Sequence, residues 1–260
     1  NLYKKINASI EKGGKAGLVN SMMHVTNALK TVGIDIKRKV FSEIYENLGG
    51  NIKYIVSAAA PIDAKVGKWV QDLGIIFLQG YGLTETAPIA ALTPEYDTRV
   101  GSAGKPVICG QMKINNPNED GEGEIWINSK TLMLGYYENE EATKEVMHDG
   151  WFNAGDIGYI DDDGFLYITG RSKNVIVTQN GKNIYPEEIE DKLNNMPLVM
   201  ESLVLENGGK LYGLVVPDFD HCEKEGIDRT KLEEIMQENL KNLNQQVAAY
   251  ERLVSIAIHT

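Results

Sequence analysis

The sequence predicts an α/β domain followed by a small α+β domain, and three observations carry that expectation. Ile52-Lys53-Tyr54-Ile55-Val56 and Ile75-Ile76-Phe77-Leu78-Gln79 are short β-rich runs. Between them Val66, Trp69, Val70 and Leu73 recur at helical spacing, so the order is strand, helix, strand, a βαβ unit with a parallel sheet. From about Arg99 to Thr169 the texture changes to short alternating runs, and after Gly170 it changes again to helical patterns around a hairpin signal.

The opening stretch, to about Leu48, places Val19, Met22, Met23 and Val25 at helical spacing, and Gly49-Gly50 ends it. The first β-rich run reads as a buried strand that closes on the small-residue loop Ser57-Ala58-Ala59-Ala60-Pro61. In the middle region, Gly123-Glu124-Ile125-Trp126-Ile127 and Phe165-Leu166-Tyr167-Ile168 alternate in and out, which predicts a small β-rich subdomain. Asp161-Asp162-Asp163-Gly164 reads as a polar hairpin turn, because the twelfth position from Asp161 is Ser172 and a calcium loop needs a glutamate there. In the last region, Tyr185-Pro186-Glu187-Glu188 opens a helix with proline in its first turn and acids at the positive end of its dipole. Asn207-Gly208-Gly209 between two apolar runs predicts a hairpin. Thr230 and Glu233 predict a capping box ahead of an amphipathic helix through Leu232, Ile235, Met236, Leu240, Leu243 and Val247.

At 260 residues the chain has room for about two domains, and 42% hydrophobic with 24% charged residues is a soluble, core-forming composition. A formal net charge of −11 argues against nucleic-acid partners, which need clustered Lys and Arg, and against binding to anionic membrane surfaces. Peripheral membrane contact is possible but not indicated, since a local basic patch could still exist. Cys109 and Cys222 lie far apart, without metal or redox spacing, so a reducing cytoplasm is the simplest home. The four histidines form no ligand cluster, and His221-Cys222 has no further ligands near it. The chain opens on Asn1, in what reads like the middle of a helix, and is expected to be an excised piece.

Three stretches are candidates for chemistry, although each taken alone also reads as an ordinary turn, or, for the third, more readily as solvated charges at a boundary. Gln79-Gly80-Tyr81-Gly82-Leu83-Thr84-Glu85-Thr86 follows a predicted strand and so lies where open α/β sheets bind ligands. Its glycines admit a close ligand, Thr84 offers a hydroxyl to a phosphate, and Glu85 offers a hard oxygen to Mg²⁺. Trp151-Phe152-Asn153-Ala154-Gly155-Asp156 ends on a carboxylate able to accept both hydrogens of a ribose diol. Gly170-Arg171-Ser172-Lys173 sits where the texture changes, with an Arg and a Lys able to meet phosphate or ribose.

In that order, these segments resemble the adenylate-forming superfamily of acyl-CoA synthetases, luciferases and peptide-synthetase adenylation domains. The resemblance covers nearly the whole chain from Ile52 onward. Within it, residues 79–88 and Gly101-Ser102-Ala103-Gly104-Lys105-Pro106 look most like long-chain fatty acyl-CoA ligases. The implied architecture is a partial large adenylation domain followed by a truncated C-terminal domain. Residues 1–98 would be the end of the α/β nucleotide-binding subdomain, 99–169 the β-rich subdomain, 170–174 a hinge, and 175–260 the small α+β domain.

The resemblance also implies roles. Ala58, Ala59, Ala60 and Pro61 would lie beside the adenine. Gly80, Tyr81 and Gly82 would part adenine from the acyl tunnel, with Tyr81 stacked on the base and Leu83 completing the nucleotide loop. Thr84 would touch the α-phosphate and Glu85 would hold Mg²⁺. Asp156 would bind the ribose with help from Arg171, Lys173 would be the pivot, and Gly181 and Lys182 would meet the pantetheine arm of CoA. The implied reaction joins a fatty acid and ATP into acyl-AMP and pyrophosphate, then moves the acyl group to CoA.

Two family parts are expected outside these residues. One is a Ser/Thr/Gly-rich phosphate loop upstream of Ile52, for which Glu11-Lys12-Gly13-Gly14-Lys15 is no substitute. The other is an adenylation lysine beyond Thr260. The 260 residues alone are therefore expected to show little ligase activity, with a hinge near Lys173 that is poorly restrained. Two rival readings are a CoA-independent acyl-AMP ligase loading a carrier protein, and a non-catalytic nucleotide-binding scaffold. Oligomeric state carries no sequence signal.

Overall fold

The structure, a computed structural model, describes residues 3, 6, 10, 13–58, 62, 64–178 and 181–259. It contains two compact units, Asn1–Leu83 with Pro88–Val107, and Thr84–Ala87 with Ile108–Thr260.

In the first unit, helices α1 (Ala16–Thr31), α2 (Lys37–Val40) and α3 (Ser42–Asn47) lead to strand β1 (Tyr54–Ser57), helix α4 (Ala64–Asp72) and strand β2 (Ile76–Tyr81). Strands β1 and β2 run parallel, as the βαβ pattern requires. Short strands β3 (Ala91–Leu92) and β4 (Lys105–Pro106) extend the sheet antiparallel in the order β1-β2-β3-β4. The sheet thus continues past residue 98, through β4. Met23, Phe41, Tyr45, Val70, Leu73, Ile75 and Phe77 form the core that α1 and α4 share with β2. Strand β1, an edge strand among the described residues, departs from the expected buried strand: Tyr54 and Val56 on one face are exposed, and Ile55 and Ser57 on the other are half-buried. Lys37 is buried, and its ammonium donates to the Gln71 carbonyl at 3.1 Å. That burial holds its pKa below the ordinary lysine range.

The second unit opens with a 3₁₀ turn at Thr84–Thr86 and continues with an antiparallel sheet. Its strands are β5 (Gly110–Asn115), β6 (Gly123–Ser129), β7 (Met147–His148), β8 (Trp151–Ile160) and β9 (Leu166–Arg171), with helix α5 (Glu140–Val146) between β6 and β7. The order is β5-β6-β8-β7, and β9 also pairs with β8. The predicted alternation holds over residues 123–127, where Ile125 and Ile127 are buried and Trp126 is not, but fails over residues 165–168, where the adjacent Phe165 and Leu166 are both buried and Ile168 is exposed. The Asp161 turn is a hairpin connection, since its Oδ1 accepts from the amides of Asp163 (3.1 Å) and Phe165 (2.8 Å).

Strands β10 (Ile176–Val177) and β11 (Asn183–Ile184) pair antiparallel before helix α6 (Pro186–Asn194), which has proline at its start. Strands β12 (Val199–Asn207) and β13 (Lys210–Pro217) form the expected hairpin, with Gly208 (φ 61°) and Gly209 (φ 77°) in the left-handed region that such two-residue turns demand. Helices α7 (Phe219–Lys224) and α8 (Arg229–Asn244) lead to β14 (Leu253–Ile258), parallel to β13. Ile189, Leu193, Val215, Met236 and Leu243 are the centre of this core.

The capping box at Thr230 and Glu233 does not form. Helix α8 starts earlier, and Asp228 is the cap, its Oδ1 accepting from the Lys231 amide at 2.8 Å. Glu233 pairs instead with Arg229 one turn back, at 3.1 Å. An aspartate caps a free N3 amide as well as a threonine does, so the start moved to the earlier suitable residue.

Candidate functional site

In the first unit, Ser57 is the register partner of Gln79, so the loops after both parallel strands leave the same carboxyl edge. Ala58 is exposed there, and a Cβ built on Gly80 would lie 3.9 Å from the Ala58 Cβ. Ala59, Ala60 and Pro61 lie outside the described residues. Gly80 and Tyr81 still belong to β2, paired with Leu92 and Ala91. The Tyr81 ring is buried at 9% exposure, and Leu83 is half-buried. Gly82 meets the chain returning from the turn: a Cβ there would overlap the Pro88 carbonyl oxygen, so only glycine fits. Gln79 Oε1 is buried with no hydrogen-bond partner among the described residues, an open acceptor at the strand end.

In the second unit, Thr84 is exposed and Glu85 half-buried on the 3₁₀ turn. The Glu85 carbonyl accepts from the Met133 amide at 2.8 Å, and its Oε1 accepts from the Tyr136 hydroxyl at 2.9 Å. Tyr136 is held in turn: its amide donates to Thr143 Oγ1 at 2.9 Å, and that hydroxyl donates to the Asn139 carbonyl at 2.9 Å. Asn139 caps α5 through its side chain. Burial and the Glu85 hydrogen bond raise the Tyr136 pKa, which keeps the phenol a donor.

Asp156 and Arg171 are register partners on β8 and β9. The Asp156 carboxylate is buried and Arg171 Nε lies 3.1 Å from it, while the rest of the guanidinium side chain is exposed. The structure therefore brings together two residues that the sequence separates into different motifs. The Ser172 amide and hydroxyl both donate to the Gly155 carbonyl, at 2.9 and 3.0 Å. Lys173 is exposed, and Asn174 Nδ2 donates to Glu187 Oε1 at 2.6 Å. Ser172 and Asn174, on either side of Lys173, thus have hydrogen-bond partners within the chain.

Gly181 is exposed, has φ 75°, and faces open space where a side chain would stand. Its amide donates to the Thr178 carbonyl at 2.9 Å, closing a turn. Lys182 Nζ lies 4.7 Å from the centroid of the Tyr250 ring, a cation–π contact.

Sequence reasoning missed Tyr136, Thr143, Tyr185 and Glu187. Asn139-Glu140-Glu141 is a helix start that would have marked the loop as anchored, but nothing ties Tyr136 to a residue 51 positions earlier.

Among the described residues no three His, Cys, Asp or Glu side chains converge on one point. Glu85 would offer a cation one carboxylate, and water and phosphate oxygens would have to complete its shell. That is how magnesium binds in nucleotide sites, so the residues fit this ion. No helix among them is long and apolar enough to cross a membrane.

The fold, a partial α/β domain followed by a small α+β domain, is that of the adenylate-forming enzymes. The chain belongs to the AMP-binding enzyme family: the profile described as AMP-binding enzyme matches residues 16–137, and the one described as AMP-binding enzyme C-terminal domain matches 173–260. It is similar to the long-chain-fatty-acid–CoA ligase FadD15 of Mycobacterium bovis, 37% identical over 179 residues that make up 69% of this chain and 29% of that protein. It is also similar to the 2-succinylbenzoate–CoA ligase of Bacillus cytotoxicus, 34% identical over 205 residues, 74% of this chain and 42% of that one. Among solved structures, the anthranilate CoA ligase AuaEII in complex with anthranoyl-AMP superposes with a TM-score of 0.66 at 26% identity, over 80% of this chain and 40% of that one. The chain spans less than half the length of each of these relatives.

Proposed function

We propose that the protein of which these residues are part activates a carboxylic acid with ATP and transfers the acyl group to CoA. The observation that carries this reading is the buried Asp156 carboxylate, paired with Arg171 immediately before the linker. A fixed carboxylate accepts both hydroxyl hydrogens of a ribose, and the ion pair with Arg171 holds it in place.

In the first step a carboxylate oxygen of the acid attacks the α-phosphorus of ATP, and the bond to pyrophosphate breaks. Two anions must approach, so positive charge at the phosphates lowers the barrier. Glu85, with Thr84 beside it, would hold Mg²⁺, which supplies that charge when bound. Gly80, Tyr81, Gly82 and Leu83 would line the nucleotide side of the loop, beside Ala58, Ala59, Ala60 and Pro61. In the second step the CoA sulfur attacks the acyl carbon and AMP leaves. Gly181 and Lys182 would flank the pantetheine arm, and Lys173 would be the pivot on which residues 175–260 turn between steps.

The acid is proposed to be a long-chain fatty acid. Similarity to the mycobacterial ligase and the loop from Gln79 to Pro88 support this choice, and similarity to a 2-succinylbenzoate ligase supports only the wider class of CoA ligases. The test is pyrophosphate release by the full-length protein with ATP, Mg²⁺ and acids of graded length, with and without CoA. Release that needs a long-chain acid, followed by thioester formation, is expected. Release with aromatic acids alone would overturn the choice of substrate, and no release with any carboxylate would overturn the activity.

A further inference from the structure

Glu85 carries a hydrogen bond that none of its assigned roles requires. Its side chain has three rotatable bonds, and on an exposed turn a glutamate samples many rotamers. Here one oxygen, Oε1, is engaged by the Tyr136 hydroxyl at 2.9 Å, and the Glu85 backbone is pinned by the Met133 amide at 2.8 Å. The tyrosine is itself fixed through Thr143 Oγ1 to the Asn139 carbonyl at the start of α5. Tyr136 is thus held at both ends, its amide on Thr143 of α5 and its hydroxyl on one oxygen of the Glu85 carboxylate, so that only the second oxygen of Glu85 has no hydrogen bond from this pair.

We propose that Tyr136, anchored by Thr143, is a positioning residue that presents the free oxygen of Glu85 to a divalent cation bound with a nucleotide triphosphate. This rests on the reading of Glu85 as the magnesium ligand. A phenol suits this role because it donates one hydrogen bond without bringing a positive charge that would repel the cation. A lysine or arginine in its place would satisfy Glu85 and weaken metal binding together. Groups that orient a metal-binding carboxylate are commonly worth about 10- to 100-fold in metal affinity when removed.

The experiment uses the full-length protein and a non-hydrolysable ATP analogue, with Mn²⁺ as the probe, read by its electron paramagnetic resonance signal. Tyr136→Phe keeps the ring and removes only the donor. It is expected to weaken Mn²⁺ binding in the presence of the analogue by about tenfold, with metal-free analogue affinity unchanged. Thr143→Ala is expected to weaken it in the same direction, and Thr143→Ser to restore it. Glu85→Gln is the reference that separates the two layers of the argument. If Glu85→Gln lowers Mn²⁺ affinity and Tyr136→Phe does not, positioning by Tyr136 is overturned while the ligand assignment stands. If Glu85→Gln also has no effect, the ligand assignment falls and takes the proposal with it. An equal loss of analogue binding with and without metal in Tyr136→Phe would mark a purely structural role and overturn the proposal.

Discussion

The Tyr185 hydroxyl donates to Glu122 Oε2 at 3.0 Å, joining the residue before α6 to the turn ahead of β6 across 63 positions of sequence. Tyr185 is 7% exposed, so this donor is buried at a junction between segments whose textures differ. Together with the Asn174–Glu187 bond, it ties the residues on both sides of the linker to one another.

Tyr185→Phe should therefore keep the packing of the ring and lose one hydrogen bond to a carboxylate. The expected destabilisation is about 1–1.5 kcal/mol, toward the low end for a charged acceptor because water can reach the exposed side of Glu122. Urea unfolding should show a lower midpoint with an unchanged slope. A double-mutant cycle with Glu122→Gln should assign most of the loss to the pair.

Glu188 in α6 gives a pH signature. Burial pushes its carboxyl above the ordinary range, with Glu251 and Glu122 adding to the shift and Lys192 opposing it. A carboxyl whose folded pKa is raised binds more protons folded than unfolded. Its contribution is fully present below the unfolded carboxylate pKa and is lost as pH rises through the folded value. Glu188→Gln should thus be more stable than the parent at about pH 7, and the gain should vanish on titration below about pH 4. Equal stability of the two proteins at neutral pH would contradict the burial argument.

Gly82→Ala should damage the first unit outright, because its Cβ would overlap the backbone of Pro88. The loss should exceed about 3 kcal/mol, the upper range for overpacking, since a backbone carbonyl cannot swing aside as a side chain can. Loss of the cooperative thermal transition, or its displacement by more than about ten degrees, is the measurement that checks this.

Asp156→Asn removes one charged acceptor while keeping the shape of the side chain. ATP affinity in the full-length protein should fall by about 10- to 100-fold, the value of a hydrogen bond to a charged group, with the fold retained. Arg171→Ala should instead lower stability by about 2 kcal/mol, because the buried Asp156 loses the Arg171 ion pair. The loss stays below that of a fully buried pair since the guanidinium side is open to water. Calorimetric titration and urea unfolding of the two variants separate these effects.

The parts of the fold set by local physics were legible in the sequence. The parallel pair β1–β2, the Gly208-Gly209 hairpin and the proline-led α6 follow from periodicity, turn chemistry and capping. Burial of β1 was not legible, because alternation does not tell an edge strand from a central one, and sheet order decides that. The cap of α8 was misplaced by one suitable residue for another, Thr230 for Asp228. At the site, Glu85, Asp156 and Arg171 stand out through their turns and neighbours. Tyr136 does not, since its bond to Glu85 forms only when Thr84–Ala87 packs with residues that follow Ile108. The restraint on Ser172 and Asn174 was hidden for the same reason, as their partners Gly155 and Glu187 lie in other elements.

The membership of Thr84–Ala87 in the second unit has a consequence for biosynthesis. A ribosome that has just made Glu85 must still add 51 residues before Tyr136 exists. At about 5–20 residues per second, that is a wait of roughly 3–10 s. During it the carboxylate emerges on a nascent strand with its hydroxyl partner unborn. Codon usage or ribosome pausing between these two positions would set how long that short segment stays undocked, and with it the window in which chaperones meet it.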